Sequence, residues 1–370
     1  MDRLSNAISV ARIICMFRII SVNYFPHIFN KFYGVSYVDA VKTQENYMSI
    51  MNQNTWFIDK VAYFLTYSGW SAVVAFTILS GFSLWLSVKK SGTFTLSSYI
   101  QSRLTRIYIP YLIIVFVAYF MSNSHGIFSM SALIGVASRY NSGAYDLDVP
   151  LWFKSAIFIC YLVFPLIVII YKYTKTVGII LVAIACFVAS VLTANTNSEW
   201  YPLFPFVFFM VVGIALAEIV YKLKSKWIII ASVILIPVCS LVYLWINYIE
   251  PSSSVGENWN LVQINGVPLS GFVLLGLTGV ILFMSIGYLL PKMWGKWLII
   301  LSRGTFTVFL VHYLLVPGIN KLALMFNQHL SVFLVGIYIA MLIGLSCYQW
   351  VIDRLVVNKI KMMFNTKYSI

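Results

Sequence analysis

About ten apolar segments, each long enough or nearly long enough to cross a lipid bilayer, dominate this 370-residue sequence. A membrane-spanning helix needs about 20 predominantly apolar residues, because the hydrocarbon core is about 30 Å thick. Hydrophobic residues make up 61% of the chain and charged residues 10%, whereas a soluble domain carries about 25% charged residues. The sequence therefore predicts an all-α, polytopic integral membrane bundle. Its predicted spans are residues 7–28, 69–88, 107–122, 151–171, 177–194, 203–221, 227–248, 271–290, 298–317 and 331–351.

The connections between these segments alternate in charge. Basic residues lie at 89–106, 172–175, 222–226, 292–296 and 354–367, and acidic residues lie at 39–59, 146–148, 199 and 250–257. Cytoplasmic loops carry the excess of lysine and arginine, so both termini are predicted to be cytoplasmic, and an even number of spans agrees with this. The net charge of +14 is spread over short loops, and it does not form the clustered patch that a nucleic-acid groove needs.

The first segment carries charge inside an otherwise apolar helix. An arginine in the hydrocarbon core costs roughly 2.5–3.5 kcal/mol on insertion scales, so Arg12 and Arg18 need a polar cavity, a partner or an interface. They lie about 240° apart around a helix and cannot share one pocket. Asn23 returns to the Arg12 face about 16 Å further along the axis, and His27 follows one turn later. The segment therefore predicts a polar stripe of Arg12, Asn23 and His27.

A second basic pair precedes the third segment. Arg103 and Arg106 are three residues apart in SYIQSRLTRIYIPYL, which places them on one face of an α-helix. Two guanidinium groups at the cytoplasmic end of a span suit a phosphate or pyrophosphate. From spacing alone, ordinary positive-inside flanking and contact with lipid phosphates are equally open interpretations.

The remaining chemistry-bearing residues give weaker patterns. The five cysteines fall within apolar segments and are predicted to be buried thiols, with no disulfide framework and no metal site. Glu218 precedes Lys222 by four residues, which predicts an ion pair along one helix. We expect Tyr161 to be a packing residue.

Five stretches, in order along the chain, resemble the acyltransferase 3 family of integral membrane acyltransferases. They include an Arg-x-x-Arg followed by Ile-Tyr-x-Pro-Tyr and a late Tyr/Phe-x-x-His-type segment, and the resemblance covers most of the ten segments. The stretches are FTILSGFSLWLS (Phe76–Ser87), SYIQSRLTRIYIPYL (Ser98–Leu112), PLWFKSAIFICYLVFPLI (Pro150–Ile167), FFMVVGIALAE (Phe208–Glu218) and SRGTFTVFLVHYLLV (Ser302–Val316).

The resemblance implies a single transmembrane domain over residues 1–370, in a multi-pass protein of the inner (plasma) membrane. Members of the family move an acyl group, commonly acetyl from cytosolic acetyl-coenzyme A, to a hydroxyl of a glycan or another envelope molecule, and the resemblance implies no metal. The expected partners are the bilayer, acyl-coenzyme A, and a polysaccharide or its lipid-linked precursor as acceptor. Arg103 and Arg106 are then the expected coenzyme-binding residues.

The resemblance also implies catalytic positions in this chain. The family's first span carries an arginine and, eleven residues later, a catalytic histidine; Arg12 matches the arginine, but Asn23 stands at the histidine position. An amide cannot accept a proton as a neutral imidazole does. Three interpretations stay open: His27 is the base, Asn23 orients the acceptor or an oxyanion, or the site is weak or inactive. His312 matches the family's late histidine and is either catalytic or a hydrogen-bonded interhelical residue.

Two other functional classes fit the same composition. A transporter or flippase of envelope glycan would also have about ten spans and an intramembrane arginine, although paired interrupted helices and similar halves are not evident in the sequence. A non-catalytic relative that binds coenzyme or lipid fits the replacement at position 23.

Overall fold

A computed structural model describes residues 3–33, 69–113, 116, 151–194, 203–248, 263–264, 267–309, 312, 330–352 and 354. It describes the backbone alone for residues 21–33, 69–70, 151–155, 193–194, 203, 243–248, 263–264, 267–273, 330–335, 345, 349 and 352. Nearly all of this part of the chain is helical. The long and short α-helices are α1 (Arg3–Tyr33), α2 (Gly69–Ser91), α3 (Leu96–Arg103), α4 (Leu151–Ala194), α5 (Leu203–Lys222), α6 (Ser225–Tyr248), α7 (Leu269–Leu289), α8 (Gly295–Arg303) and α9 (Leu330–Ile352). Other elements are a π-helical turn (Leu104–Tyr108), a 3₁₀ turn (Lys292–Trp294), helical residues at 109–113 and 305–309, and the paired two-residue strands β1 (Gln263–Ile264) and β2 (Val267–Pro268).

Each of the ten predicted segments overlaps a helix in the described ranges. Four helical stretches there are individually long and apolar enough to cross a membrane: Ser71–Ser91, Ala156–Leu192, Phe204–Lys222 and Ser225–Val242. A fifth results if Leu274–Leu289 and Lys292–Phe309, which meet at a bend of 105°, form one broken span. The prediction of an all-helical, multi-pass membrane protein is confirmed, while the number of ten spans and the cytoplasmic termini stay predictions.

The helix α4 contains two of the predicted spans. Lys175, with φ 55° and ψ −140°, interrupts it at the place where the sequence predicts a short cytoplasmic loop. Cys160 and Cys186, on either side of this break, interact electrostatically, whereas 26 residues of straight helix would separate them by about 39 Å. The two halves of α4 therefore turn back on each other at Lys175.

The centre of the bundle is built on close helix contact through glycine. A Cβ atom on Gly213 of α5 would lie 2.0 Å from the carbonyl oxygen of Ile78, and one on Gly81 of α2 would lie 2.1 Å from that of Met210. Small residues at such crossings allow helix backbones to approach within van der Waals distance, which drives helix association in a membrane. The α2 helix is accordingly buried along most of its length.

One end of the bundle gathers basic residues. The Glu218 carboxylate of α5 lies 3.3 Å from the Lys222 ammonium and 2.9 Å from that of Lys89 at the end of α2. The predicted Glu218–Lys222 pair is thus confirmed, and Lys89 adds a second cation. The Trp85 indole donates a further hydrogen bond of 2.9 Å to the same carboxylate. These contacts tie together the ends of α2 and α5 beside the cavity that is the candidate site.

Candidate functional site

A cavity of about 760 Å³ opens at this end of the bundle and is lined by five arginines. We call it the arginine pocket. Its walls come from α1, α2, the π-helical turn with the end of α3, α4, the end of α8 and the last part of α9. No aspartate or glutamate lines it in the part of the chain that the structure describes. The arginines are Arg12, Arg103, Arg106, Arg303 and Arg354.

Three of these arginines form one group of like charges, which we call the inner arginines: Arg12, Arg103 and Arg106. Arg12, partly buried on α1, interacts electrostatically with Arg103, Arg106 and the Tyr161 hydroxyl. Three guanidinium groups repel one another, and the repulsion grows as the effective dielectric falls away from bulk water. An anion bound among them would relieve this repulsion and accept charge-assisted hydrogen bonds. The arrangement therefore favours binding of an anion.

Arg103 is held between two tyrosine rings. Its guanidinium carbon lies 5.5 Å from the ring centre of Tyr99 and 5.5 Å from that of Tyr161. The Tyr99 hydroxyl donates a 2.8 Å hydrogen bond to the Tyr161 carbonyl oxygen, and burial raises the pKa of Tyr99, so that the donor stays protonated. The Arg103 Nε is buried and has no hydrogen-bond partner among the residues that the structure describes. Tyr161 is thus more than the packing residue that the sequence predicts.

Arg103 and Arg106 do not lie on one regular α-helix, although their spacing predicts that they should. The α-helix ends at Arg103, and Arg106 lies in the π-helical turn, where the backbone N–H of Ile109 bonds to the carbonyl of Leu104. The two arginines therefore do not share one face of a regular α-helix. Both nevertheless line the arginine pocket, because the wider turn and the surrounding helices, rather than a three-residue interval, set their positions. Single π-turns inside helices occur often at functional sites.

The α2 wall of the pocket is polar in a way that the sequence analysis missed. Ser80, Ser83 and Ser87 line it at intervals of three and four residues, which is one face of an α-helix. The Ser80 hydroxyl donates to the Phe76 carbonyl at 2.9 Å and that of Ser83 to the Leu79 carbonyl at 2.6 Å. Their oxygens can still accept hydrogen bonds from a ligand. The signal was present as regularly spaced serines within FTILSGFSLWLS.

The mouth of the pocket carries a second basic group, Arg303 and Arg354, for which the sequence predicts no binding role. Arg303 ends α8, and Arg354 lies two residues beyond the end of α9. The Arg354 guanidinium carbon lies 5.1 Å from the ring centre of Trp350. All three line the pocket and are exposed. A tryptophan followed four residues later by an arginine was the available signal, since such residues are neighbours on a helix.

The other predicted catalytic residues lie away from the pocket or outside the described side chains. His312 is fully buried, its Nδ1 contacts the Phe309 carbonyl oxygen one turn earlier, and it does not line the pocket. Arg18 is 1% exposed and does not line the pocket either. The α1 backbone is helical through positions 23 and 27, but the side chains of Asn23 and His27 lie outside the described residues. The catalytic roles of Asn23, His27 and His312 stay predictions, and the sequence predicts no such role for Arg18.

Within the described ranges, no three His, Cys, Asp or Glu side chains are grouped as metal ligands would be. All five cysteines are free, and Cys347 is exposed on α9 rather than buried as predicted.

The family model described as an acyltransferase domain, that of the acyltransferase 3 family, matches residues 5–349. The chain belongs to the acyltransferase 3 family. The match begins before Arg12 and ends at residue 349, so the described lining of the arginine pocket lies within the family domain except for Trp350 and Arg354. No curated protein and no solved structure matches the chain. Family membership makes this protein a membrane acyltransferase in class.

Proposed function

We propose that this acyltransferase 3 protein transfers an acyl group, in the simplest case acetyl, from cytosolic acyl-coenzyme A to a hydroxyl of an envelope polysaccharide or of its lipid-linked precursor. The observation that carries the proposal is the arginine pocket: among the described residues, five arginines and no aspartate or glutamate line one cavity at the basic end of the bundle. A donor with several phosphate charges complements such a cavity. The family domain supplies the acyl-transfer class.

The lining of the pocket fits both the phosphates and the thioester of such a donor. Arg103 and Arg106 can hold the pyrophosphate through paired hydrogen bonds, the geometry in which arginine exceeds lysine. The pantetheine arm then lies along the polar face of α2, formed by Ser80, Ser83 and Ser87. The thioester would lie near Arg12.

The transfer itself needs an oxyanion donor and a base. The acceptor oxygen bonds to the thioester carbonyl carbon, the carbon–sulfur bond breaks, and the hydroxyl proton leaves through a base while coenzyme A departs as its thiol. Arg12 is proposed to stabilise the charge that develops on the carbonyl oxygen. The base is His27, or else His312 or a group that Asn23 orients, because the amide of Asn23 cannot itself accept the proton.

A second candidate function has one specific observation in its favour. Asn23 occupies the position of the family's catalytic histidine, which fits a relative that binds acyl-coenzyme A without transferring the acyl group. The two candidates agree on the arginine pocket and differ only in turnover.

Transfer of radiolabelled acetyl from acetyl-coenzyme A to an envelope glycolipid fraction, by purified protein in proteoliposomes, tests the proposal. We expect transfer by the unmodified protein and a loss of about 10²–10³-fold for Arg12→Ala, the usual effect of removing an oxyanion donor. The matched control is Lys90→Ala, which removes a charge at the end of α2 outside the pocket lining. Saturable acetyl-coenzyme A binding without transfer would favour the non-catalytic relative, and absence of both would overturn the donor assignment.

A further inference from the structure

The mouth of the arginine pocket is built by contact between α8 and α9. The Ser346 hydroxyl donates to the Leu301 carbonyl oxygen at 3.2 Å, and a Cβ atom on Gly304 would lie 2.6 Å from the Ser346 Oγ. Trp350 and Arg354 follow Ser346 at intervals of four residues, so the three form one slowly turning stripe. This stripe brings Trp350 and Arg354 beside Arg303, the residue that precedes Gly304.

Arg303 and Arg354 come from other walls of the pocket than Arg12, Arg103 and Arg106. Arg12 interacts electrostatically with Arg103 and Arg106, which enter from α1 and the α3 side, whereas Arg303 and Arg354 enter from α8 and the end of α9. The pocket thus presents two cationic groups on different walls. A single pyrophosphate between the inner arginines would leave the outer pair without an anion from the ligand.

Ordinary positive-inside flanking does not account for the outer group. Lys292 and Lys296 lie in the same segment as Arg303 and satisfy that topology rule, yet neither lines the pocket. The two cations that do line it are both arginines, whose planar guanidinium matches a phosphate with two parallel hydrogen bonds. Trp350, 51% exposed, adds an aromatic face beside them. A phosphate close to a stacking base is the ligand that this combination recognises.

We propose that Arg303 and Arg354 bind the ribose 3′-phosphate of coenzyme A and that its adenine stacks on Trp350. The inference rests on the proposed function and adds the element that selects the donor. A phosphate monoester carries about −1.5 to −2 charges at neutral pH, which two guanidinium groups complement. Nucleotide sugars and lipid diphosphates share the pyrophosphate but lack this group. The outer arginines therefore make the pocket specific for coenzyme A rather than for diphosphates in general.

Equilibrium binding of acetyl-coenzyme A and of 3′-dephospho-acetyl-coenzyme A to the purified full-length protein, in nanodiscs of neutral lipid, tests this inference. The unmodified protein is expected to bind acetyl-coenzyme A about tenfold to a hundredfold more tightly than the dephospho compound, the usual effect of a charge-assisted hydrogen bond. Arg303→Ala and Arg354→Ala should remove most of that preference, because they should weaken binding of acetyl-coenzyme A much more than binding of the dephospho compound. Arg354→Lys should keep part of the preference.

Three further variants define the subsite. Arg103→Ala should weaken both ligands by the same factor, because both contain the pyrophosphate. Trp350→Ala should weaken both by about fivefold or more, as expected for loss of one stacked base, while Trp350→Phe retains most of the affinity. Lys296→Ala, a matched loss of charge on α8 outside the pocket lining, should change neither.

The inference is overturned if the two outer alanine variants weaken both ligands equally or weaken neither. It is also overturned if their effect appears only after anionic lipid is added to the nanodiscs, since the arginines would then bind lipid headgroups. If the unmodified protein binds neither ligand while it remains monodisperse, the proposed function itself fails. The Arg→Lys variants give the same comparison if an alanine variant does not fold.

Discussion

The Arg103 guanidinium lies over the Tyr161 ring, with 5.5 Å between the guanidinium carbon and the ring centre. Tyr161 belongs to α4 and Arg103 to the end of α3, so the contact joins two walls of the arginine pocket. The pair orients Arg103 through the ring face, and the hydrogen bond from Tyr99 uses only the backbone carbonyl of residue 161.

Replacement of the Tyr161 ring should therefore weaken donor binding, and loss of its hydroxyl alone should not. A partly desolvated cation–π contact contributes about 1–2 kcal/mol, so Tyr161→Leu should raise the dissociation constant of acetyl-coenzyme A roughly fivefold to thirtyfold. Tyr161→Phe keeps the ring and the backbone carbonyl, and it should bind within about twofold of the unmodified protein. Equal losses for both variants would show that the hydroxyl, rather than the ring face, matters.

Glu218 is expected to be the main electrostatic tie between α2 and α5. Its side chain is 8% exposed and pairs with Lys89, and removal of one partner of a buried pair costs roughly 3–5 kcal/mol. Glu218→Gln should therefore lower the midpoint of thermal unfolding. This midpoint is measured from the reaction of a fluorogenic maleimide with the buried cysteine thiols that unfolding exposes.

The control for Glu218→Gln is a substitution of Lys222, the solvent-exposed partner of Glu218. Lys222 is 65% exposed, and exposed pairs at this helical spacing contribute about 0.3–0.5 kcal/mol. Lys222→Ala should leave the unfolding midpoint nearly unchanged. If both variants are equally mild, the cluster is not a source of stability.

Gly213 should not tolerate even one added methyl group. The new Cβ would lie 2.0 Å from the Ile78 carbonyl oxygen, so that α2 and α5 would have to separate. Overpacking of this kind costs about 1–3 kcal/mol or more, and Gly213→Ala should lower the unfolding midpoint in the same maleimide assay. Gly336→Ala is the matched control, because no described atom outside its own helix backbone and chain neighbours lies within 4 Å of its Cβ position. A normal midpoint for Gly213→Ala would contradict the close helix contact.

Position 23 separates the interpretations of the catalytic base. If the chain lost its base there, Asn23→His should raise the transfer rate by roughly the 10²–10⁴-fold typical of general-base catalysis, and His27→Ala should have little effect. If His27 is the base, His27→Ala should abolish transfer and Asn23→His should give little gain. Should neither change the rate of an active protein, the polar stripe of α1 is not the catalytic centre.

The helices and the ion pairs within one helix could be predicted from the sequence, because they depend on residues that are close together in the chain. Hydropathy located the helices, because a segment that crosses a membrane must satisfy its backbone hydrogen bonds within itself. The four-residue interval predicted the ion pair of Glu218 with Lys222. Lys89 could not be predicted as the second partner, because it lies 129 residues away from Glu218 and meets it only through the packing of α2 on α5.

In the candidate site, too, the sequence motif could be predicted and the features that depend on helix packing could not. The basic pair Arg103 and Arg106 was visible as a motif, but the π-helical turn was not, since its hydrogen bonding depends on the surrounding helices. Arg303 and Arg354 belong to segments that read as ordinary cytoplasmic flanks. The packing of α9 on α8, which includes the hydrogen bond from Ser346 to the Leu301 carbonyl, brings them to one cavity.

The central claim is that the arginine pocket holds the phosphates of acyl-coenzyme A, and a binding isotherm of radiolabelled acetyl-coenzyme A on purified protein tests it most directly. The decisive comparison is between Arg103→Ala, Arg106→Ala and the paired control Lys224→Ala with Lys226→Ala, whose lysines are exposed at the turn between α5 and α6 and do not line the pocket. We predict saturable binding that each arginine variant weakens about tenfold to a hundredfold and that the lysine control leaves unchanged. The same dissociation constant for all of these proteins would contradict the account.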